Sequence, residues 1–159
     1  MKLMAAGDQV LVAEFGDRID EAVNDQVHAV AAKIEEQQIP GIGEVVPTFR
    51  SLLIYYDSYQ LSYREAADKI EELARNLKTE QKTKKRILKI PCCYGARFGP
   101  DLADMEQLTG LDRKEMIDIH SSVDYKVYML GFLPGFAYLG GLDERIHVPR
   151  LKSPRLKIS

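Results

Sequence analysis

The apolar residues between Val10 and Pro91 change period twice, and a chain that does so has few folds open to it. Val10-Leu11-Val12-Ala13-Glu14-Phe15 is a short apolar run bounded by Asp8 and by Gly16-Asp17, which predicts a buried strand. After it Ile19, Val23, Val27, Val30 and Ile34 recur every three or four residues, predicting a helix over about 20–38 that ends at Pro40-Gly41. Two β-rich runs follow, Glu44–Pro47 and Ser51–Asp57, close enough to pair antiparallel. Ser62-Tyr63-Arg64-Glu65 then has the form of a capping box, in which the serine oxygen and the glutamate carboxylate satisfy each other's end of the first turn. Ala66, Ile70, Leu73, Ala74 and Leu77 make one face of the helix it opens. The basic tract "KTEQKTKKRILKIP" leads to a last strand over 86–91. The order is β-α-β-β-α-β, the ferredoxin-like pattern, in an N-terminal domain over 1–91 of an α+β protein.

Charge divides the chain in a similar place. Residues 1–79 hold eight Lys and Arg against fourteen Asp and Glu, whereas 80–159 hold fourteen against ten, within a net charge of -2. Two units with different surfaces are expected, 1–91 and 92–159. The basic excess is too small for a nucleic-acid interface, and of the neighbouring Tyr55 and Tyr56 only one can face outward as a stacking platform. No apolar run nears the roughly 20 residues that span a bilayer, so no membrane partner is expected and a cytoplasmic location is. The two cysteines, Cys92 and Cys93, are adjacent and suit a reducing compartment; they are expected as partly buried side chains at a strand end, and no metal site is expected. His28, one residue past the apolar position Val27, is expected as a partly exposed helix residue.

In the second half, "GARFGPDLADMEQLTGLDRKEMIDIHSS" predicts two short helices, with Pro100 at a first helical position, Gly110 at a left-handed stop and Asp112 with Glu115 as a second cap. His120 falls in the last turn, where a helix C-terminus favours a protonated imidazole; the alternative there is an acid/base or binding group beside Ser121 and Ser122. A strand over 124–130 then delivers the chain into "GFLPGFAYLGGL". Its four glycines and Pro134 accompany Phe132, Phe136 and Tyr138 with no charge. Backbone freedom combined with aromatic surface points to a binding loop, with the alternative that these rings plug a core. Pro149-Arg150 and Pro154-Arg155 place two guanidiniums on restricted backbone, suited to a carboxylate or phosphate or else simply exposed. None of the phosphate-cradling, nucleophile-elbow or zinc-helix motifs is present.

Three segments, "VVPTFRSLLIYYD", "GARFGPDLADMEQLTGL" and "IHSSVDYKVYMLGFLPGFAYLGGLDERIHVPRLKSPR", together resemble the family of bacterial 5-oxoprolinase B subunits, also called allophanate hydrolase subunit 1, which includes the sporulation-kinase inhibitor KipI. The resemblance runs over nearly the whole chain. It implies a ferredoxin-like domain followed by a cyclophilin-like β-barrel. It also implies work with the A and C subunits of the enzyme, the latter of homologous fold, together opening 5-oxoproline to glutamate with ATP as co-substrate of the complex. The alternative is a KipI-like module that blocks autophosphorylation of a sensor histidine kinase by protein contact. Positions implied are His120 as the catalytic residue, with Phe132, Pro134, Gly135, Phe136, Tyr138, Pro149, Arg150 and Arg155 in substrate or partner binding. Family members continue for several dozen residues beyond "PRLKIS". An incomplete barrel, left with the start of a strand at 157–159, is therefore expected.

Overall fold

The computed structural model describes residues 1–77 and 86–155. It separates into two compact units, Met1–Lys84 with Tyr128–Tyr138, and Lys85–Val127 with Leu139–Ser159. The basic tract at 78–85 and the strand expected to begin at 157 lie outside the described residues.

Unit 1 is built on an antiparallel sheet of β1 (Lys2–Ala5), β2 (Val10–Glu14), β3 (Ile42–Pro47) and β4 (Ser51–Tyr56), in the order β1-β2-β4-β3. Opposite Leu11 on β2 stands Ile54 on β4, and opposite Ala13 stands Leu52. Because strand side chains alternate, these four point to one face, and all are fully buried. Helices α1 (Glu21–Gln37) and α2 (Tyr63–Asn76) close that face with Val27, Val30, Ala31 and Ile34 and with Ala66, Ile70 and Leu73. Each helix begins on a side-chain cap, and the Ser62–Glu65 one was expected. Asp20 accepts from the amides of Ala22 and Val23. Ser62 and Glu65 make both halves of the capping box. Tyr55 is exposed and Tyr56 buried, as alternation requires.

Three expectations in this half are corrected. Residues 86–91 form no strand; Ile87, Leu88 and Ile90 are exposed. The physical reason is competition for edges: β2 has only two, one paired with β4 and the other with β1, an N-terminal strand absent from the expected order. Ile19 lies before the helix and is exposed, while the polar Asn24 takes a fully buried place on the α1 face. Cys92 and Cys93 are not partly buried at a strand end, since the strand is absent; both are free and exposed.

Unit 2 carries α3 (Leu102–Thr109), α4 (Arg113–Ser121) and a 3-10 turn at Glu144–Ile146, around a small core of Leu102, Met116, Ile119 and Ile146. Gly110 ends α3 at φ 72, the left-handed stop expected of it, and Asp112 accepts from the amide of Glu115 to open α4. Pro100 precedes the helix instead of occupying its first position. A hairpin of β5 (Lys126–Leu130) and β6 (Ala137–Gly140) forms a second, two-stranded sheet. Among the described residues neither sheet closes into a barrel.

Candidate functional site

The loop that joins β5 to β6 is held by three backbone hydrogen bonds. Gly131 N–H donates to Phe136 O at 3.1 Å, Leu133 N–H to Gly131 O at 2.8 Å, and Phe136 N–H to Leu133 O at 3.0 Å. The last of these closes a turn with Pro134 at its second position and Gly135 at its third with φ 80, the type II arrangement for which proline and glycine are suited. The second makes a three-residue turn on Phe132, whose φ of 64 is unusual for an aromatic side chain and costs roughly 1–3 kcal/mol. Phe132 is thereby thrust outward, 82% exposed.

Gly135→Ala is expected to lower stability by about 1–2 kcal/mol in thermal or denaturant unfolding, because alanine resists the left-handed region. A Cβ there would meet nothing within 4 Å, so the cost is conformational and not steric.

Aromatic rings connect this loop to the body of unit 1. Ring-centroid separations are 5.7 Å for Phe132–Phe136, 5.2 Å for Phe136–Tyr138, 5.8 Å for Tyr138–Phe49 and 5.5 Å for Phe49–Tyr128. The series runs from a buried ring, Tyr128, to the exposed Phe132. Its inner end is anchored by helix α1. Asn24 Nδ2 donates to the carbonyls of Thr48 at 3.0 Å, Phe49 at 3.2 Å and Tyr128 at 3.2 Å, and His28 Nε2 lies 2.9 Å from the same Tyr128 oxygen. Asn24 and His28 are four residues apart, so one helix face presents both. That spacing was visible in the sequence; the carbonyls they meet were not.

His120 belongs to unit 2 and is half-buried. Its Nδ1 is 2.5 Å from the Tyr94 hydroxyl, and its backbone carbonyl accepts from the Tyr125 hydroxyl at 2.9 Å. The two tyrosine rings stand 5.7 and 5.3 Å from the imidazole. Burial first, then a hydrogen bond with Cys92, pushes Tyr94 up to about 12. The Tyr94 hydroxyl and Nδ1 share one hydrogen bond, in which either can be the donor, and Nε2 is left as the ring nitrogen for outside chemistry. Sequence reasoning missed both tyrosines.

The Tyr94 shift carries a sign. Between the usual tyrosine value near 10 and about 12, the unfolded chain loses this proton while the folded chain keeps it, so stability falls as pH rises through that window. Unfolding followed from about pH 9 to about pH 12 should show this loss, and Tyr94→Phe should flatten it.

The remaining candidates fall out as follows. Phe132, Pro134, Gly135, Phe136 and Tyr138 lie in unit 1, whereas His120, Pro149, Arg150 and Arg155 lie in unit 2. Arg155 already spends its guanidinium fork on Asp101, with Nη1 donating to Oδ2 at 2.6 Å and Nη2 to Oδ1. This pairing lowers the Asp101 carboxyl below its usual range and occupies a side chain that would otherwise cap α3, which has no side-chain cap bond. Arg150 and Pro149 are exposed, and among the described residues Arg150 has no ion-pair partner. No cluster of three or more potential metal ligands occurs among the described residues. Nor is any helix there long and apolar enough to cross a membrane.

Comparison with known proteins agrees along the length of the chain. The family described as the carboxyltransferase domain, subdomain C and D, matches residues 1–159. The 5-oxoprolinase B subunit of Bacillus subtilis is 42% identical over 96% of this chain and 68% of its own length. That of Escherichia coli O157:H7 is 32% identical over the same shares. Among solved structures, TTHA0988 superposes with a TM-score of 0.78 at 28% identity, covering 92% of this chain and 28% of its own. The chain thus belongs to the carboxyltransferase subdomain C and D family and, within it, groups with the B subunits of 5-oxoprolinase.

Proposed function

We propose that this chain serves as the B subunit of an ATP-dependent 5-oxoprolinase, opening the cyclic amide of 5-oxoproline to glutamate in the cytoplasm together with the A and C subunits, the latter of homologous fold. The observation that carries this is the 42% identity, across 96% of the chain, to a 5-oxoprolinase B subunit. Unit 1 is the counterpart of a ferredoxin-like domain, with β1 beside β2 where the sequence pattern called for a fourth strand, and unit 2 corresponds to part of a cyclophilin-like barrel. ATP hydrolysis is a property of the whole assembly.

The chemistry of the reaction gives His120 a definite task. Opening a lactam expels an amine, which leaves poorly unless its nitrogen gains a proton, and His120 as an imidazolium would supply one from Nε2. Tyr94 would hold the ring through Nδ1 while it does so. Around the loop, Phe132 and Phe136 present ring faces and Gly135 bare main chain for contact with substrate or another protein of the complex. Arg150 is the exposed guanidinium for a carboxylate.

Co-expression with candidate A and C subunits tests the assignment. The expected result is a co-purifying complex that converts 5-oxoproline to glutamate only when this chain and ATP are both present. Recovery of a sensor histidine kinase, with no such complex and inhibited autophosphorylation, would replace this function by the regulatory one.

A further inference from the structure

Cys92 and Cys93 stand side by side in a segment, 86–95, that has neither helix nor strand, and both thiols are free and exposed. Tyr94 stands two residues along the chain from Cys92, which helps hold its hydroxyl's pKa up, and that hydroxyl lies 2.5 Å from His120 Nδ1. Two thiols, a phenol and an imidazole therefore form one continuous string within unit 2. We propose that Cys92 and Cys93 are a reversible thiol–disulfide exchange site for small-molecule disulfides, and that His120 senses its oxidation through Tyr94.

Adjacent thiols are poor structural staples and good switches for the same reason. Consecutive Cα atoms are about 3.8 Å apart across a trans peptide, short of the roughly 4.4–6.8 Å usual for a disulfide, so a bridge between neighbours is strained. Strained, exposed disulfides are the ones readily reduced again. A solvent-accessible thiol beside a second one has its resolving partner at hand, and a segment free of ladder hydrogen bonds can adjust to the ring. In the forward direction, one cysteine thiolate attacks the small disulfide, forming a mixed disulfide and releasing one small thiolate. The neighbouring thiolate then attacks the protein sulfur of that bond, releasing the second. Two protein thiols are oxidised, one small disulfide is reduced to two thiols, and the two protons are transferred to them or to solvent. Once Cys92 is bonded to Cys93 it has no S–H to share with Tyr94, and the hydroxyl that holds His120 Nδ1 is left with a changed set of partners.

Oxidised glutathione is the probe. On the unmodified chain, a thiol reagent should count both cysteines before treatment and neither after, with an intact mass lower by two hydrogens, no glutathione attached, and full reversal by dithiothreitol. Cys93→Ser should instead retain one glutathione. In the wild type the ring signals of His120, assigned by their loss in His120→Gln, should move on oxidation, and Tyr94→Phe should abolish that movement without altering the thiol chemistry. Stable glutathione adducts on both cysteines, or no reaction at either, overturns the exchange site. Ring closure that leaves the His120 signals in place overturns the link to His120. Because none of these measurements requires the oxoprolinase complex, failure here is distinct from failure of the proposed activity.

Discussion

His120→Ala is expected to lower 5-oxoproline hydrolysis by the assembled complex by about 10²–10⁴-fold, the usual contribution of a positioned proton donor. The loss should appear in kcat, with assembly of the complex intact, because His120 is half-buried and contributes no side chain to the small core of Leu102, Met116, Ile119 and Ile146. Tyr94→Phe removes the hydrogen-bond partner of Nδ1, so a smaller loss together with an altered pH–rate profile is expected from it. Unchanged turnover in His120→Ala would withdraw the imidazole from the chemistry altogether. A loss confined to complex formation would make it an interface residue.

Asn24→Ala should cost on the order of 3 kcal/mol in denaturant unfolding, more than an ordinary surface change. The wild-type amide nitrogen donates to the carbonyls of Thr48, Phe49 and Tyr128, while its own Oδ1 is buried without a hydrogen-bond partner among the described residues. Removing the donor strands those acceptors, of which the Tyr128 oxygen is buried and the other two partly so, and each unsatisfied buried group costs about 1–3 kcal/mol. His28 still reaches Tyr128 O, so the hairpin should loosen without detaching. Hydrogen exchange should accordingly quicken at 128–138 more than in the β2–β4 ladder. Equal protection in mutant and wild type would show that the aromatic series alone holds the loop.

Much of unit 1 was legible because its signals are local. The Ser62–Glu65 cap and the alternation of Tyr55 and Tyr56 each depend on residues within about one turn or one strand step, as does the left-handed stop at Gly110 in unit 2. The same holds for the Pro134-Gly135 turn, whose glycine and proline stood out in the sequence before any geometry was known. The candidate site was legible only as residue types. His120 stood out, but Tyr94, 26 residues away, is the group that holds its Nδ1. Arg155 looked free for an anion, yet Asp101, 54 residues distant, engages it.

By itself, then, the order of residues determined where helices start and stop, which strand faces turn inward, and which family the chain joins. Tertiary structure decided the contests between equivalent partners. Residues 86–91 are as apolar as a strand should be, but β1 takes the edge of β2 that they would have needed, and pairing is exclusive. Asn24 stands among the apolar positions of the α1 pattern without being one of them, yet three backbone carbonyls converge on it and make burial the better outcome. Periodicity reports the preference of one segment, whereas occupancy of an edge or a hydrogen-bond acceptor depends on every other segment that competes for it.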